Sequence, residues 1–308
     1  MKKLSRIGYV PVVAGILVVL IGCSATGADQ ATLPPTVPPT ESPAADTTLV
    51  ADLDVGGRTL HIVCIGPLGL DQPTVIFEHG LGGDFGVWAN VLAKVAETHR
   101  GCSYDRAGAG MSEPAPGTRT TRDQVDDLRA LLEAAEIGPP YLLVGHSSGA
   151  YNVLVHAADH PGDVSGMVLV DPRPPSASTR FLAELPPESA TESDVIHQYR
   201  AGYTEWEADP SGNPEGLDLI ASATEAEAAR ALGSIPLVVL SADGDEGEGA
   251  DLEPALATRF ESIWTELQAE LASRSDAGRL ELVKNSTHDM PFDRPDAIVE
   301  AIEELLAG

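Results

Sequence analysis

Residues 141–161, YLLVGHSSGAYNVLVHAADHP, constrain the fold of this chain more than any other segment because they join a strand pattern to a helix pattern. YLLVG is the apolar run of a buried strand, and AYNVLVHAADHP is typical of a helix. The letters GHSSG between them match G-x-S-x-G, a motif in which a serine nucleophile occupies a sharp strand-to-helix turn. The spacing selects Ser147 as the nucleophile and leaves Ser148 a role for its backbone N–H only.

The same alternation of strand and helix patterns runs through most of the chain. Short β-branched runs such as PTVIFEHG and IPLVVLSA alternate with helical patterns such as TRDQVDDLRALLEAAEIG and PDAIVEAIEELL. Repeated alternation is typical of a mostly parallel sheet with helices on both faces. We therefore expect an α/β core formed by residues 49–171 and 235–308. Residues 172–234 contain no clear strand pattern and are expected to form a helical cap insertion over the carboxyl edge of the sheet.

The charge balance excludes nucleic acid as an expected partner. The 308 residues include 19 Lys and Arg against 47 Asp and Glu, which gives a formal net charge of −28. Such a chain is repelled by a phosphate backbone. The Cys and His spacing of a zinc site and the complete pattern of a calcium loop are absent from the sequence, so neither a metal nor a cofactor is predicted. We expect a monomer that binds a small-molecule substrate.

The first residues predict export and a lipid anchor. Residues 1–22 contain the positive segment MKKLSR and an apolar run, as in a signal peptide. The run ends in LIGC, which resembles a bacterial lipoprotein cleavage box and predicts lipidation of Cys23. The alternatives are an ordinary signal peptide or an uncleaved anchor helix, for which the apolar run 7–21 is shorter than the ~20 residues usually needed. Residues 23–48, rich in Pro and Thr, are expected to be a tether at the cell membrane.

His288 is the candidate general base, which a serine hydroxyl requires to act as a nucleophile. It lies in the loop KNSTHDMPF, after the last predicted strand and before the last predicted helix. The chain order of this motif is serine, acid, histidine, which places the base in that loop. His146 is adjacent to Ser147 in sequence and is expected to project away from it.

The loop after the strand VIFEH is rich in glycine and reads HGLGG over residues 79–83. Glycines allow the backbone to approach a substrate closely. The N–H groups of Leu81 and Ser148 are therefore the candidate donors of an oxyanion hole, which stabilises the charged oxygen formed when a serine attacks a carbonyl. A glycine-rich turn that only caps the next helix is the alternative interpretation.

Five segments together resemble the α/β-hydrolase superfamily in their order and in the gaps between them. They are EHGLGGDFGVW, CSYDRAGAGMS, YLLVGHSSGA, GMVLVDP and STHDMPFDRPDAIVEAI, and the resemblance covers residues 50–307. It implies an α/β-hydrolase fold with an eight-stranded, mostly parallel sheet in the order 1-2-4-3-5-6-7-8. It also implies a hydrolytic activity, and it does not specify the substrate.

The resemblance leaves the acid open between two strand ends. The superfamily carries the acid after strand six, which gives Asp171 in VLVDP, or after strand seven, which gives Asp243 or Asp245 in VVLSADGDEGE. Asp245 fits the commoner spacing, although Ala242 replaces the usual glycine. We favour Asp171, then Asp245, then Asp243, because similar exported proteins often lack a clear acid after strand seven. The acid would fix the tautomer of the imidazole and stabilise its cation.

The implied strand order also makes a prediction for two cysteines. Cys64 falls in strand two and Cys102 in strand four, and these strands are neighbours in the superfamily. An exported protein occupies a compartment in which disulfides persist. We therefore predict a disulfide between Cys64 and Cys102.

These residues favour a serine hydrolase that cleaves a carboxylic ester through an acyl-enzyme. Dehalogenases and epoxide hydrolases of the superfamily use an aspartate nucleophile, which the serine at position 147 argues against. An amidase or aminopeptidase with the same residues is one alternative. A lipid-tethered binding protein on an inactive hydrolase scaffold is the other, and the presence of both Ser147 and His288 disfavours it.

Overall fold

The computed structural model describes residues 48–69, 72–243 and 251–307. The predicted signal peptide, most of the tether, Cys23 and Asp245 lie outside these ranges. Every structural statement below concerns the described residues.

Eight strands form a single sheet in the order β1-β2-β4-β3-β5-β6-β7-β8. The strand β2 is antiparallel to both of its neighbours, and every other pair is parallel. This confirms the strand order and the mostly parallel sheet expected from the sequence. The strands are β1 Leu49–Asp54, β2 Thr59–Ile65, β3 Thr74–Glu78, β4 Gly101–Tyr104, β5 Tyr141–His146, β6 Val164–Val170, β7 Leu237–Ala242 and β8 Gly278–Val283.

Helices follow most of the strands along the chain. They are α1 Ala89–Val95, α2 Thr121–Ala134, α3 Gly149–Asp159, α4 Ala177–Glu184, α5 Asp194–Ala201, α6 Leu219–Ala228, α7 Pro254–Ala272, α8 Met290–Asp293 and α9 Pro295–Ala307. Within the described ranges, none of these helices combines the length and the hydropathy needed to cross a bilayer.

The core lies on both faces of the sheet because successive side chains of a strand point to opposite faces. On β3, Val75 and Phe77 pack in the cluster that contains residues of α1 and α9. Ile76, between them, packs in the cluster that contains residues of α2 and α3. The strands therefore read as nearly continuous apolar runs, as expected when helices cover both faces.

The insertion predicted over residues 172–234 is helical, but it does not form one unit. The helices α4 and α5 and the turn Gly202–Trp206 contribute to an aromatic cluster with α7, in which Phe181 stacks on Phe260 with ring centroids 4.5 Å apart. The helix α6 instead packs against α2 and α3. The Thr121 N–H at the start of α2 donates a hydrogen bond of 3.1 Å to Ser222 Oγ of α6. The last helix of the insertion therefore belongs to the helix layer that covers the sheet.

The predicted disulfide is present between β2 and β4. Cys64 and Cys102 are directly opposite in the antiparallel register, with their Cα atoms 4.0 Å apart. Both side chains are buried in the core. The bond links two strands that are 38 residues apart in sequence.

Removing the disulfide is expected to destabilise the protein. Closing a loop of 38 residues restricts the unfolded chain, and the chain-entropy relation puts the stabilisation at about 4 kcal/mol. The double variant Cys64→Ala, Cys102→Ala should lose about 2–4 kcal/mol of unfolding free energy in urea titrations. A reducing agent should lower the urea midpoint of the wild type and leave the variant unchanged. A wild-type midpoint that does not respond to reduction would contradict the prediction.

Candidate active site

The turn between β5 and α3 places Ser147 in a strained backbone conformation. Its φ is +52°, in the left-handed region that residues other than glycine seldom adopt. The Ser147 N–H donates to Val170 O at the end of β6 at 3.2 Å, and the Arg173 N–H donates to Ser147 O at 3.1 Å. Both backbone polar groups of Ser147 are thus held, and these hydrogen bonds help to offset the strain.

Two glycines make this turn possible because no side chain fits at their positions. A Cβ on Gly145 would lie 2.8 Å from a side-chain carbon of Val153 and 2.9 Å from Gly149 O. A Cβ on Gly149 would lie 2.5 Å from His79 O and 2.7 Å from Glu78 O. The absence of a side chain at Gly145 lets α3 pack against the end of β5. The absence of one at Gly149 lets the end of β3 approach the first turn of α3.

Ser147, His288 and Asp171 form one chain of hydrogen bonds. His288 lies in the loop between β8 and α8, and its Nε2 is 3.0 Å from Ser147 Oγ. Its Nδ1 is 2.7 Å from Asp171 Oδ2. Asp171 is 3% exposed, and its other oxygen accepts a 3.0 Å hydrogen bond from the Ala242 N–H at the end of β7. The structure thus brings together the serine, the histidine and the favoured acid of the sequence analysis.

The other two candidate acids differ from Asp171 in their surroundings. Asp243 is exposed, and its Oδ1 accepts a hydrogen bond of 3.4 Å from the Ser286 N–H. Asp245 lies outside the described residues. Among the described carboxylates, Asp171 is the one that contacts the His288 ring.

His146 supports the loop that carries His288, a role that the sequence analysis did not anticipate. Its Nε2 is 2.8 Å from His288 O, and the two ring centroids are 4.8 Å apart. Burial, together with the nearby His288, lowers the pKa of His146 to about 4. The His146 ring is therefore neutral at pH 7 and donates its Nε2–H to the His288 carbonyl, which fixes the main chain next to the bridging imidazole.

The glycine-rich loop after β3 lies directly against Ser147. A Cβ on Gly80 would be 3.2 Å from Ser147 Cβ. Within the part of the chain that the structure describes, neither the Leu81 N–H nor the Ser148 N–H has a protein acceptor. The two N–H groups predicted as oxyanion donors therefore have no acceptor among the described residues, and a donor of this kind must leave its N–H open to the substrate.

The described residues include no candidate metal site. In ranges 48–69, 72–243 and 251–307, no group of three or more His, Cys, Asp or Glu side chains is arranged to hold a metal ion. Near Ser147 Oγ, a hydroxyl, an imidazole and a carboxylate lie in one hydrogen-bonded chain, which is the arrangement that nucleophilic catalysis by a serine requires.

Comparison with known proteins agrees with this fold. A family model described as alpha/beta hydrolase fold matches residues 73–206. YqjL, an uncharacterized protein of Bacillus subtilis (strain 168), is 31% identical over 239 residues, which cover 77% of this chain and 85% of YqjL. The chain therefore belongs to the α/β-hydrolase family, whose members are hydrolases.

Two further relatives have named activities. The 2-(acetamidomethylene)succinate hydrolase of Mesorhizobium japonicum (strain LMG 29417 / CECT 9101 / MAFF 303099) is 28% identical over 128 residues, which cover 42% of this chain and 44% of that protein. The crystal structure of the enol-lactonase from Burkholderia xenovorans LB400 matches with a TM-score of 0.53 and 20% identity, covering 84% of this chain and 100% of that one. The second likeness shows the fold alone.

The close packing at Gly149 can be tested by adding one methyl group. Gly149→Ala places a Cβ 2.5 Å from a backbone oxygen, and such overpacking typically costs about 1–3 kcal/mol of unfolding free energy. The matched control is Gly162→Ala, where nothing lies within 4 Å of the added carbon. Urea titration should show the loss for the first variant and a change within about 0.5 kcal/mol for the second. Equal stability of the two variants would contradict this account of the turn.

Proposed function

We propose that this protein is a serine hydrolase that cleaves a carboxylic ester through an acyl-enzyme. The observation that carries the proposal is the hydrogen-bonded chain in which His288 Nε2 is 3.0 Å from Ser147 Oγ and His288 Nδ1 is 2.7 Å from Asp171. The family membership and the glycine-rich loop beside Ser147 support the same reaction class.

In the proposed reaction, Ser147 Oγ attacks the ester carbonyl while its proton passes to His288 Nε2. The carbonyl oxygen becomes an oxyanion and accepts hydrogen bonds from the N–H groups of Leu81 and Ser148. Asp171 accepts the Nδ1–H of His288, which sets the tautomer and stabilises the imidazolium. The imidazolium then protonates the leaving alcohol, and an acyl group remains on Ser147.

The second half of the reaction repeats these roles with water. His288 takes a proton from a water molecule, which attacks the acyl carbonyl, and the same two N–H groups stabilise the second oxyanion. The acid product leaves, and Ser147 regains its proton from His288. The position of Ser147 at the tip of a strained turn supports this reaction, because such a turn exposes the hydroxyl to a substrate.

The nucleophile can be tested with a fluorophosphonate probe, which reacts with activated serines. We expect labelling of the wild type and no labelling of Ser147→Ala. The matched control is Ser148→Ala, which removes the neighbouring hydroxyl, keeps the backbone N–H and should still be labelled. Folded wild-type protein that takes up no probe would contradict the proposed function.

The substrate class needs its own measurement. Turnover of p-nitrophenyl esters of increasing chain length should be compared with turnover of aminoacyl p-nitroanilides. We expect ester hydrolysis that is lost in Ser147→Ala. Hydrolysis of the anilides without hydrolysis of any ester would favour the amidase or aminopeptidase alternative, and labelled protein that hydrolyses neither would indicate a substrate of another class.

We also propose that the protein is exported and held at the outer face of the cell membrane by a lipid on Cys23. The positive segment, the apolar run and the box LIGC support this proposal. In a bacterial host with lipoprotein processing, metabolic labelling with an alkyne fatty acid should mark the wild type and should not mark Cys23→Ala. Mass spectrometry that finds an unmodified Cys23 in the mature protein would contradict the proposal.

A further inference from the structure

A buried ionic cluster lies behind the glycine-rich loop. Arg106 donates from Nε to Glu215 Oε2 at 2.7 Å and from Nη2 to Glu215 Oε1 at 2.9 Å. Its Nη1 donates to Glu78 Oε2 at 3.2 Å. The Arg106 side chain is 2% exposed, that of Glu78 is 1% exposed and that of Glu215 is fully buried. None of these three side chains takes part in the proposed chemical steps.

Burying these groups is expensive because charges lose their hydration. Burial raises the pKa of Glu78. Burial acts in the same direction on Glu215, but the charge and the hydrogen bonds of Arg106 outweigh it and lower the pKa of Glu215. Glu215 is therefore the ionised partner of Arg106. Apolar residues of similar volume often stabilise a fold as well as a buried ion pair does. Stability alone therefore does not explain why charged residues occupy these positions.

The cluster holds the backbone on both sides of Leu81. Arg106 Nη2 donates to Gly80 O at 3.0 Å, and Arg106 Nη1 donates to His79 O at 2.6 Å. The Gly82 N–H donates to Glu215 Oε1 at 3.0 Å. The carbonyl that precedes Leu81 and the N–H that follows it are thus bound to the same arginine–glutamate pair.

Because the peptide group is planar, these contacts also fix the direction in which the Leu81 N–H points. In a trans peptide the C=O and the N–H point in opposite directions, so the hydrogen bonds to Gly80 O aim the Leu81 N–H away from the cluster. His79 Nδ1, 2.7 Å from Gly80 O, holds the same carbonyl. Burial and the Arg106 charge lower the pKa of His79 to about 3, so this ring is neutral and its Nδ1–H donates.

Glu215 reaches the loop from the insertion and is itself held firmly. Its Oε2 accepts a 2.8 Å hydrogen bond from Gln124 Nε2 of α2. The backbone next to Glu215 lies against Gly108, where an added Cβ would be 2.3 Å from Pro214 O. The Arg119 N–H donates to Gly216 O at 2.8 Å. The carboxylate is therefore fixed against the core rather than presented by a free loop.

We propose that Arg106 and Glu215 are positioning residues that orient the Leu81 N–H for the oxyanion. The inference rests on the proposed serine hydrolase function and adds to it a specific task for the insertion. The insertion supplies the carboxylate of Glu215, which fixes Arg106. Arg106 in turn fixes the peptide group whose N–H would donate to the oxyanion.

The test is Glu215→Gln, which keeps the shape of the side chain and removes its charge. With p-nitrophenyl butyrate as the probe substrate, kcat should fall about 10- to 100-fold, somewhat less than the ~10²–10³-fold loss caused by removing an oxyanion donor. KM should stay within about twofold, because the interaction acts only in the transition state. A trifluoromethyl ketone, which forms a tetrahedral adduct with an active serine, should bind more weakly by a similar factor.

The matched control is Glu227→Gln, which makes the same change at another carboxylate of the insertion. Glu227 is 30% exposed and pairs with the buried Arg274, which precedes β8 and therefore lies at the edge of the sheet opposite to the carboxyl ends that carry Ser147 and Asp171. This variant should lose stability and keep kcat within about twofold of the wild type. If Glu215→Gln does not fold, Gln124→Met removes one hydrogen bond from the Glu215 carboxylate and should lower kcat about threefold at unchanged KM.

The outcomes separate this inference from the proposed function. Wild-type protein that is labelled by the fluorophosphonate, with a folded Glu215→Gln variant of unchanged kcat and ketone affinity, would overturn the inference alone. Equal losses of kcat in Glu215→Gln and Glu227→Gln would overturn it as well, because they would indicate general loosening of the fold. If Glu215→Gln does not fold, a Gln124→Met variant whose kcat equals that of the wild type would overturn the inference in its place. Folded wild type without labelling would overturn the proposed function and this inference with it.

Discussion

Backbone packing at Gly149 determines where the groups of the candidate site lie. The space that a side chain would occupy there is taken by the carbonyl oxygens of Glu78 and His79, so the end of β3 touches the first turn of α3. This contact brings Gly80 against Ser147, and Leu81 is the next residue of the same loop. The left-handed conformation of Ser147 is held by the hydrogen bond that its N–H donates to Val170 O and by the one that its carbonyl accepts from the Arg173 N–H.

The parallel sheet explains how distant parts of the chain meet at this turn. Ser147 follows β5, Asp171 follows β6 and His288 follows β8. The carboxyl ends of parallel strands lie at one edge of a sheet, where open α/β folds bind their ligands. The acid and the base therefore reach Ser147 although 141 residues separate it from His288. At this edge Asp171 contacts the imidazole of His288, and the glycine-rich loop lies against Ser147.

Much of this arrangement could be predicted from the sequence because its signals are local. The strand–turn–helix context identified Ser147, the loop before the last helix identified His288, and the strand order placed Cys64 beside Cys102. The acid stayed open because two strand ends carry aspartates, and only the three-dimensional contact with His288 distinguishes Asp171 from Asp243.

Other features have no local signal. Arg106 belongs to a recognised segment, DRAGAGMS, but its partner Glu215 is 109 residues away in the insertion, and no periodicity links the two. The contact between His146 and the His288 main chain spans 142 residues and depends on the path of a loop. The helix α6 was expected in a cap, yet its small and apolar residues pack on α2 and α3 as part of the core. Pairings of this kind become visible only when the backbone path is known.

The central claim is that Ser147 carries the acyl group during turnover. The most direct measurement is mass spectrometry of protein that has been mixed with p-nitrophenyl acetate and quenched in acid within the first turnover. The account predicts one acetyl group on the peptide that contains Ser147, and its loss in Ser147→Ala. Ester hydrolysis that proceeds with no acyl group on Ser147, or with the acyl group on another residue, would contradict the account.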